Sequence, residues 1–510
     1  MLIQDNLILL LPMLVPLAGA ILCIFCWRAV LSQKVVALLT QLCLLASTAW
    51  LFQQVVERGI LTIQIGGWPA PYGITVIADL FSCLMLTASA LVGLAVVLYS
   101  FYDLDKARIR FGYYPVVLIM QMGIGGTLLT GDLFNLYVWF EILLICAFVL
   151  ITIGGTKQQL EGALKYVTIN LIASGLLLVG IGTVYGVAGS LNMAEIAVQA
   201  RNLPHTQSLF VVASMFFIVS VGIKAAAFPL FFWLPASYHT PPIAISAIIA
   251  GLLTKVGVYV LIRLFTLIFQ VEPGITNSIL LCMAGFSMVI GVLGAAIQTD
   301  YRKVLSFSIV SQIGYMLMGL AIFTPLAIAG SIFFIIQNML VKANLFLVGG
   351  AVAQERGTFS FRYLGGVYKH RPLLAGIFFV SALSLAGIPP FSGFWGKLML
   401  ARAGFESGFY TIAGIAVGAS IITIIYLTRI WNQVFLKDKP ADAAIALLPT
   451  QPFRGILQLP MLLLLGFILA MGVYAEPFVD FTLQAADGLL NSENYINAVL
   501  HKPQAERITP

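Results

Sequence analysis

Four lysines and one glutamate stand where a charge is costly. Lys224, Lys255, Lys342 and Lys397 each fall inside a long apolar run, and Glu141 lies inside another, in Asp132-Leu-Phe-Asn-Leu-Tyr-Val-Trp-Phe-Glu141. An ionised side chain at the centre of a bilayer costs about 2.5–3.5 kcal/mol or more, so such residues take partners, line water or carry ions. A helix that starts near Gly131 places Glu141 about 15 Å along its axis, near mid-membrane. A carboxylate there needs a cation, and Lys224, beside a helix break, is the first candidate for its partner. Lysine suits proton conduction because its protonation in a low dielectric responds to neighbouring charges. Any one of these lysines could instead snorkel to the headgroups or sit in a static pair. Five such groups, two of them beside broken helices, favour a conduction path.

Polar side chains inside the same runs could bridge the charged groups: Ser246, Thr254, Tyr259, Ser306, Ser308, Ser311, Gln312, Tyr315, Gln337, Asn338 and Asn344. Each serves equally as an interhelical hydrogen bond. His239, in Leu234-Pro-Ala-Ser-Tyr-His-Thr-Pro-Pro242, is either a proton carrier at the cytoplasmic mouth or a loop-packing residue. Asp132 reads as a helix N-cap or a pathway residue, and Asp79 as a helix-end residue or an entry or cation-related site.

The elements that must hold these groups are membrane-spanning helices. Of 510 residues, 60% are hydrophobic and 9% charged, and mean hydropathy is +1.01, which fits a lipid environment rather than a soluble core. Apolar runs of roughly 18–25 residues recur from end to end, about fourteen in all, each long enough to span as a helix. Transmembrane β-strands would be shorter and alternating, so an all-α integral membrane bundle is expected. Leu7 to Cys26 lacks a basic leader and reads as the first helix, not a cleaved signal. The whole chain, 1–510, reads as one integral membrane domain with a polar tail over 479–510, partly ordered at best. A small hairpin is expected over Gly59 to Gly73, where Leu61, Ile63 and Ile65 alternate before a Gly- and Pro-rich stretch.

Breaks are expected at Lys224-Ala-Ala-Ala-Phe-Pro229 in the seventh helix and at Gly387-Ile-Pro-Pro-Phe-Ser-Gly393 in the twelfth. They lie five helices apart, as two five-helix repeats over 112–262 (helices 4–8) and 274–430 (helices 9–13) would require. An odd helix spacing inverts the second repeat, and inverted-repeat transporters place their pathway at discontinuous helices. Alternate loops differ in Lys and Arg content. The rich side, with Lys106, Arg108, Lys157, Lys165, Arg302, Lys303, Lys369, Arg371, Lys439 and Arg454 among others, is assigned to the cytoplasm, which puts both termini outside. The +7 net charge is thus topology, and no basic-aromatic patch points to nucleic acid. The six cysteines all fall in apolar runs and read as packing; Cys23 and Cys26 form a CxxC with no second pair to support a metal or thiol centre.

Three stretches carry a family resemblance: Lys224-Ala-Ala-Ala-Phe-Pro-Leu-Phe-Phe-Trp-Leu-Pro235, Pro242 through Lys255-Val-Gly-Val-Tyr259, and Leu385-Ala-Gly-Ile-Pro-Pro-Phe-Ser-Gly-Phe-Trp-Gly-Lys397. Over roughly 75–435 the chain resembles the antiporter-like superfamily. That group comprises complex I pumping subunits, membrane hydrogenase subunits and the large subunits of multisubunit (Mrp-type) Na+/H+ antiporters. Tyr238-His-Thr-Pro-Pro242 and the Asp132–Glu141 stretch look most like the D-type branch of those antiporter subunits.

The resemblance implies Glu141 paired with Lys224, Lys255 as central relay, Lys342 as connector and Lys397 as terminal exchanging group. Several relatives have His four residues before the lysine at position 342; here that place is Asn338, so water or Lys342 must cover the gap. The resemblance also implies a secondary transporter subunit of a bacterial cell membrane rather than an enzyme. It would work with other membrane subunits, exchange H+ against Na+ (or K+ or Li+), and bind no redox cofactor. No dinucleotide fingerprint, phosphate loop or iron–sulfur cysteine set is present in the sequence. The alternatives are the pumping subunit of a complex I-like or hydrogenase redox assembly, and a scaffold with inert charges. A lysine-rich interior repels Na+, so a cation site is expected elsewhere or near Asp79 and Asp132.

Overall fold

The computed structural model describes residues 7–202, 207–270, 273–438 and 455–500, so Lys439 and Arg454 of the loop-charge pattern lie outside the described residues. Among the described residues, 12 helices are long and apolar enough to cross a membrane, joined by two shorter apolar helices, Tyr113–Leu129 and Pro372–Ala386. Helices satisfy their backbone groups internally, which the hydrocarbon layer demands.

The bundle is organised around Pro325–Arg356, every residue of which is buried from Ala327 to Ala353. It packs against Ile243–Leu267, Tyr301–Ile322, Ser392–Glu406 and Ala475–Leu490. Ile243–Leu267 is likewise buried on all sides. A helix that is apolar all round belongs in a core. Lys255 and Lys342 are carried by these two helices and are 0% exposed, so neither can snorkel to a headgroup.

Both expected breaks are present. The Gln207–Ala225 helix stops one residue after Lys224, and the chain resumes helix only at Trp233–Ser237. Its end is held from within: the Trp233 indole donates to the Ile223 carbonyl at 3.0 Å, and the Phe228 amide donates to Ser287 Oγ at 2.9 Å. In the second break, Pro372–Ala386 gives way to Ser392–Glu406. Here the Lys397 ammonium itself donates to the freed Ala386 carbonyl at 2.9 Å. Gly393 lets the two half-helices touch, because a Cβ there would stand 1.8 Å from the Ser384 carbonyl oxygen. Backbone at that distance cannot yield cheaply. Gly393→Ala is therefore expected to lower the thermal stability of the detergent-solubilised complex by several degrees, measured by scanning fluorimetry, and to displace Lys397; an unchanged melting curve would contradict this packing.

Two connections share one backbone pattern. Leu133 N donates to Leu191 O and Met193 N to Gly131 O, both at 2.9 Å; Tyr301 N donates to Phe359 O and Phe361 N to Thr299 O, both at 3.0 Å. In each case an aspartate caps the helix that follows: Asp132 accepts from Asn135 N at 2.7 Å, and Asp300 from Arg302 N at 2.9 Å.

Two peripheral features differ from the sequence reading. The hairpin forms, but its second strand, Thr75–Ala78, lies beyond Gly73 and pairs antiparallel with Leu61–Gln64. The stretch expected as a polar tail instead forms Ala475–Leu490 and Ser492–Leu500. Ala485, Ala486, Leu489, Tyr495, Ile496 and Val499 recur at helical spacing and are buried, which docks these helices on the bundle. Residues 501–510 lie outside the described residues.

Candidate functional site

Asp132 starts the Leu133–Thr152 helix as its N-cap, which sets the depth of Glu141. Depth does not set direction. Phe140 points inward, with its ring centroid 4.9 Å from the Lys224 ammonium. Successive helical residues are rotated by about 100°, so Glu141 turns away, into line with the exposed Phe134, Val138 and Ile145. The expected Glu141–Lys224 pair is consequently not a direct ion pair. Lys224 donates to Ser174 Oγ at 3.1 Å, while Glu141 acts on it only through space. One Glu141 carboxylate oxygen is buried with no hydrogen-bond partner among the described residues. Beside Lys224 lies a cavity of about 20 Å³ lined by Phe140, Leu143, Leu144, Tyr166, Asn170, Trp233 and Leu253. That volume admits one water.

Lys255 donates to the Ala250 carbonyl at 2.6 Å. Lys342 donates to Ser308 Oγ and lies within electrostatic range of both Lys255 and Lys397. The ammonium of Lys397 sits 5.0 Å from the centroid of the Tyr315 ring. Among the described residues none of these three lysines has a carboxylate within ion-pair distance. Lys255, Lys342 and Lys397 thus form a row of buried amino groups met by hydroxyls, carbonyls and an aromatic face.

A second polar file runs beside the row. Asn338 donates to Gln337 Oε1 at 3.0 Å, Gln337 to Ser384 Oγ at 3.1 Å, and Ser384 and Ser392 share a hydrogen bond of 2.7 Å. It connects the Lys342 helix to the break that holds Lys397. Asn344 donates to Ser381 Oγ at 3.0 Å. Ser311 Oγ, Thr254 Oγ1, both polar atoms of Gln312 and the Asn338 carbonyl are buried without partners among the described residues. The sequence points to Gln337, Asn338 and Asn344 but not to Ser381, Ser384 and Ser392, whose hydroxyls only gain meaning once the two helices are paired.

His239 is half-buried between Trp233–Ser237 and Ile243–Leu267, with Nδ1 at 2.8 Å from the Pro235 carbonyl. Burial, followed by the positive charge of Arg302, holds its imidazole below the ordinary histidine range, against the opposing pull of that carbonyl and of Asp300. It is therefore neutral at neutral pH and able to accept a proton. Asp79 caps Leu80–Asp103 through a reciprocal pair of bonds with Ser82. It also forms a 2.6 Å ion pair with Arg263. This cation already occupies the carboxylate that was a candidate ion entry.

Arg263 escapes the sequence reading because its helix runs on past the expected end at 262, to Leu267, and Asp103 escapes it as the last residue of Leu80–Asp103. Arg263 is buried with its guanidinium against Phe81, Tyr259 and Tyr495. Asp103 accepts from the Ala244 amide at 3.0 Å and from Gln354 at 3.4 Å, so it caps the Lys255 helix. The usable signal for Arg263 is its spacing: Lys255, Tyr259 and Arg263 recur every fourth residue on one face.

Residues 130–423 match the family model described as NADH:quinone oxidoreductase/Mrp antiporter, TM. The chain is 41% identical over 498 residues to the D-type subunit of the Na(+)/H(+) antiporter of Alkalihalophilus pseudofirmus, covering 98% of this chain and 100% of that protein. Its fold superposes on a chain of the Mrp complex from Dietzia sp. with a TM-score of 0.89 at 30% identity, covering 98% of this chain and 99% of that one. A chain of the membrane-bound sulfane sulfur reductase, an archaeal respiratory membrane complex, also matches with a TM-score of 0.89, at 26% identity and with 97% and 100% covered.

Proposed function

This chain belongs to the NADH:quinone oxidoreductase/Mrp antiporter transmembrane family, and on that premise we propose that it is the proton-translocating subunit of a multisubunit Na+/H+ antiporter, with Glu141, Lys224, Lys255, Lys342 and Lys397 as its relay. The observation that carries this reading is the row of Lys255, Lys342 and Lys397. Three buried amino groups that repel one another when protonated, with no acid within ion-pair distance among the described residues, are a poor way to stabilise a bundle. A purely structural lysine would be expected beside a carboxylate. Groups that must gain and lose a proton gain from such poise, since each can return to neutrality as its neighbour is charged. His239 serves as the carrier at the inner mouth, Lys224 is bonded directly to Ser174, and water in the cavity beside Lys224 bridges it to Asn170.

The shared backbone pattern at Gly131–Met193 and Thr299–Phe361 supports reading 112–262 and 274–430 as two inverted five-helix repeats, each with one break. Loop charges support a bacterial cell membrane orientation with both termini outside. The same lysine row disfavours Na+, K+ or Li+ inside this chain, so the cation crosses mainly in another subunit. Glu141 also speaks for such partners. It lies on a stripe of the helix that would otherwise face lipid, between Val138 and Ile145, and a carboxylate there is unfavourable unless a neighbouring membrane subunit covers it.

A Na+ pulse should dissipate a preset ΔpH in everted vesicles that hold the complete complex, with no redox substrate beyond that which sets the gradient. Glu141→Ala should assemble to wild-type level, by affinity co-purification of the other subunits, yet lose most of that response. Lost assembly with retained exchange per complex would point to a scaffold. The likeness to a respiratory reductase chain favours one alternative, a redox-driven pump. Wild-type vesicles that ignore Na+ but acidify on a redox substrate would establish it.

A further inference from the structure

The outer end of the Lys255 helix carries a construction that the relay does not use. Lys255, Tyr259 and Arg263 occupy one face of Ile243–Leu267, with Arg263 about 12 Å along the axis from Lys255. Arg263 donates to the Tyr259 hydroxyl at 3.3 Å, and that hydroxyl donates to the Leu128 carbonyl at 2.7 Å. The guanidinium is held by Asp79 at 2.6 Å, with side-chain exposures of 8% for Arg263 and 14% for Asp79. On the far side of Asp79 opens a cavity of about 600 Å³, lined by Gly59, Asp79, Gln484, Gly488, Asn494 and Asn497 among others. Gln484, Gly488, Asn494 and Asn497 are exposed, so the cavity reaches the surface. Its wall is made by Ala475–Leu490 and Ser492–Leu500, the two helices that replace the expected tail. The Tyr495 ring of the latter lies 5.5 Å from the guanidinium, and its buried hydroxyl has no hydrogen-bond partner among the described residues.

We propose that this vestibule is an outer mouth through which protons reach Lys255, and that the Asp79–Arg263 pair is its gate. The proposal rests on the relay reading above and adds a route in the first repeat that does not pass through Lys397. With the pair closed, a fixed positive charge and the rings of Phe81, Tyr259 and Tyr495 around it separate vestibule water from Lys255. A cation approaching from the mouth meets Asp79 first and Arg263 behind it, an attraction followed by a barrier. When the guanidinium swings away, the Tyr259 hydroxyl gains a neighbour in the vestibule. It can pass a proton inward by releasing its own toward Lys255 while taking one from water, so no net charge rests on the phenol. Arg263 stays protonated throughout and acts by position.

Gly488 offers a test that leaves the relay untouched. Gly488 lines the vestibule and a Cβ there would meet nothing within 4 Å, so a side chain can leave the backbone at this point without a clash. In everted vesicles with the complete complex, Gly488→Trp is expected to slow Na+-driven ΔpH dissipation several-fold at equal assembly. Gly466→Trp, at another glycine with the same open surroundings but outside the vestibule, should not slow it. The gate is tested by Asp79→Asn with Arg263→Gln, which removes both charges together and leaves neither buried alone. The double variant should collapse a preset ΔpH several-fold faster without Na+, and adding Lys255→Ala should abolish that leak. Wild-type exchange in Gly488→Trp, or a leak that survives Lys255→Ala, overturns the proposal. If the double variant does not assemble, Gly488→Trp decides alone. Exchange unaffected by Lys255→Ala by itself would instead defeat the relay reading.

Discussion

Everted vesicles that contain the complete complex with Lys224→Ala are expected to lose Na+-driven ΔpH dissipation by about a hundredfold at equal assembly. The size follows from what the ammonium supplies. A charge that must cross mid-bilayer without a site meets a cost of about 2.5–3.5 kcal/mol, and each ~1.4 kcal/mol on a barrier is about tenfold in rate. Lys224 ends its half-helix at the break, touches Ser174, borders the small cavity and meets the Glu141 helix through the Phe140 ring. Lys224→Arg separates charge from proton transfer. A guanidinium keeps the positive charge but does not release its proton at any accessible pH, so the arginine variant should assemble and still fail. Recovery of exchange by arginine would mean that Lys224 acts as a fixed counter-charge to Glu141 and not as a carrier.

Hydropathy makes the core of the site legible. A lysine inside an apolar run has nowhere to go, so Lys255 and Lys342 are identifiable from their position alone, as are the two breaks from glycine and proline in helix interiors. What hydropathy lacks is azimuth. Counting residues from Asp132 places Glu141 along the helix axis, but whether it faces Lys224 depends on how the helix is rolled, and Phe140 takes the inward position. Helix ends are also set too early from sequence, because apolar windows close at the first charged residue. Arg263 and Asp103 are lost in this way, although both helices extend to include them once a partner, Asp79 or the Ala244 amide, satisfies the charge. The C-terminal helices are missed for the opposite reason. Their apolar faces are too short to read as spans and only emerge as amphipathic when the bundle supplies a surface to cover.

Lys342→Met sets the two readings of the lysine row against each other with opposite signs. Lys342 is 0% exposed, donates to Ser308 and is pressed by like charges on both sides. Methionine keeps much of its length without the charge, and Ser308 retains a bond to the Leu305 carbonyl at 2.7 Å. Replacing a poorly compensated buried charge with an apolar side chain of similar volume is commonly neutral or stabilising by about 1–4 kcal/mol. If the row exists for transport, the solubilised Lys342→Met complex should melt at or above the wild-type temperature. Na+-driven exchange should meanwhile fall by about a hundredfold, since the gap between Lys255 and Lys397 then has no site for the proton. If Lys342 is instead a structural anchor, the same substitution should lower the melting temperature and reduce exchange only in proportion to the complex lost. Measured on one preparation, transport per assembled complex thus falls while the melting temperature holds or rises under the relay, whereas under the anchor the melting temperature falls while transport per assembled complex holds. The relay predicts a divergence that loss of packing does not produce.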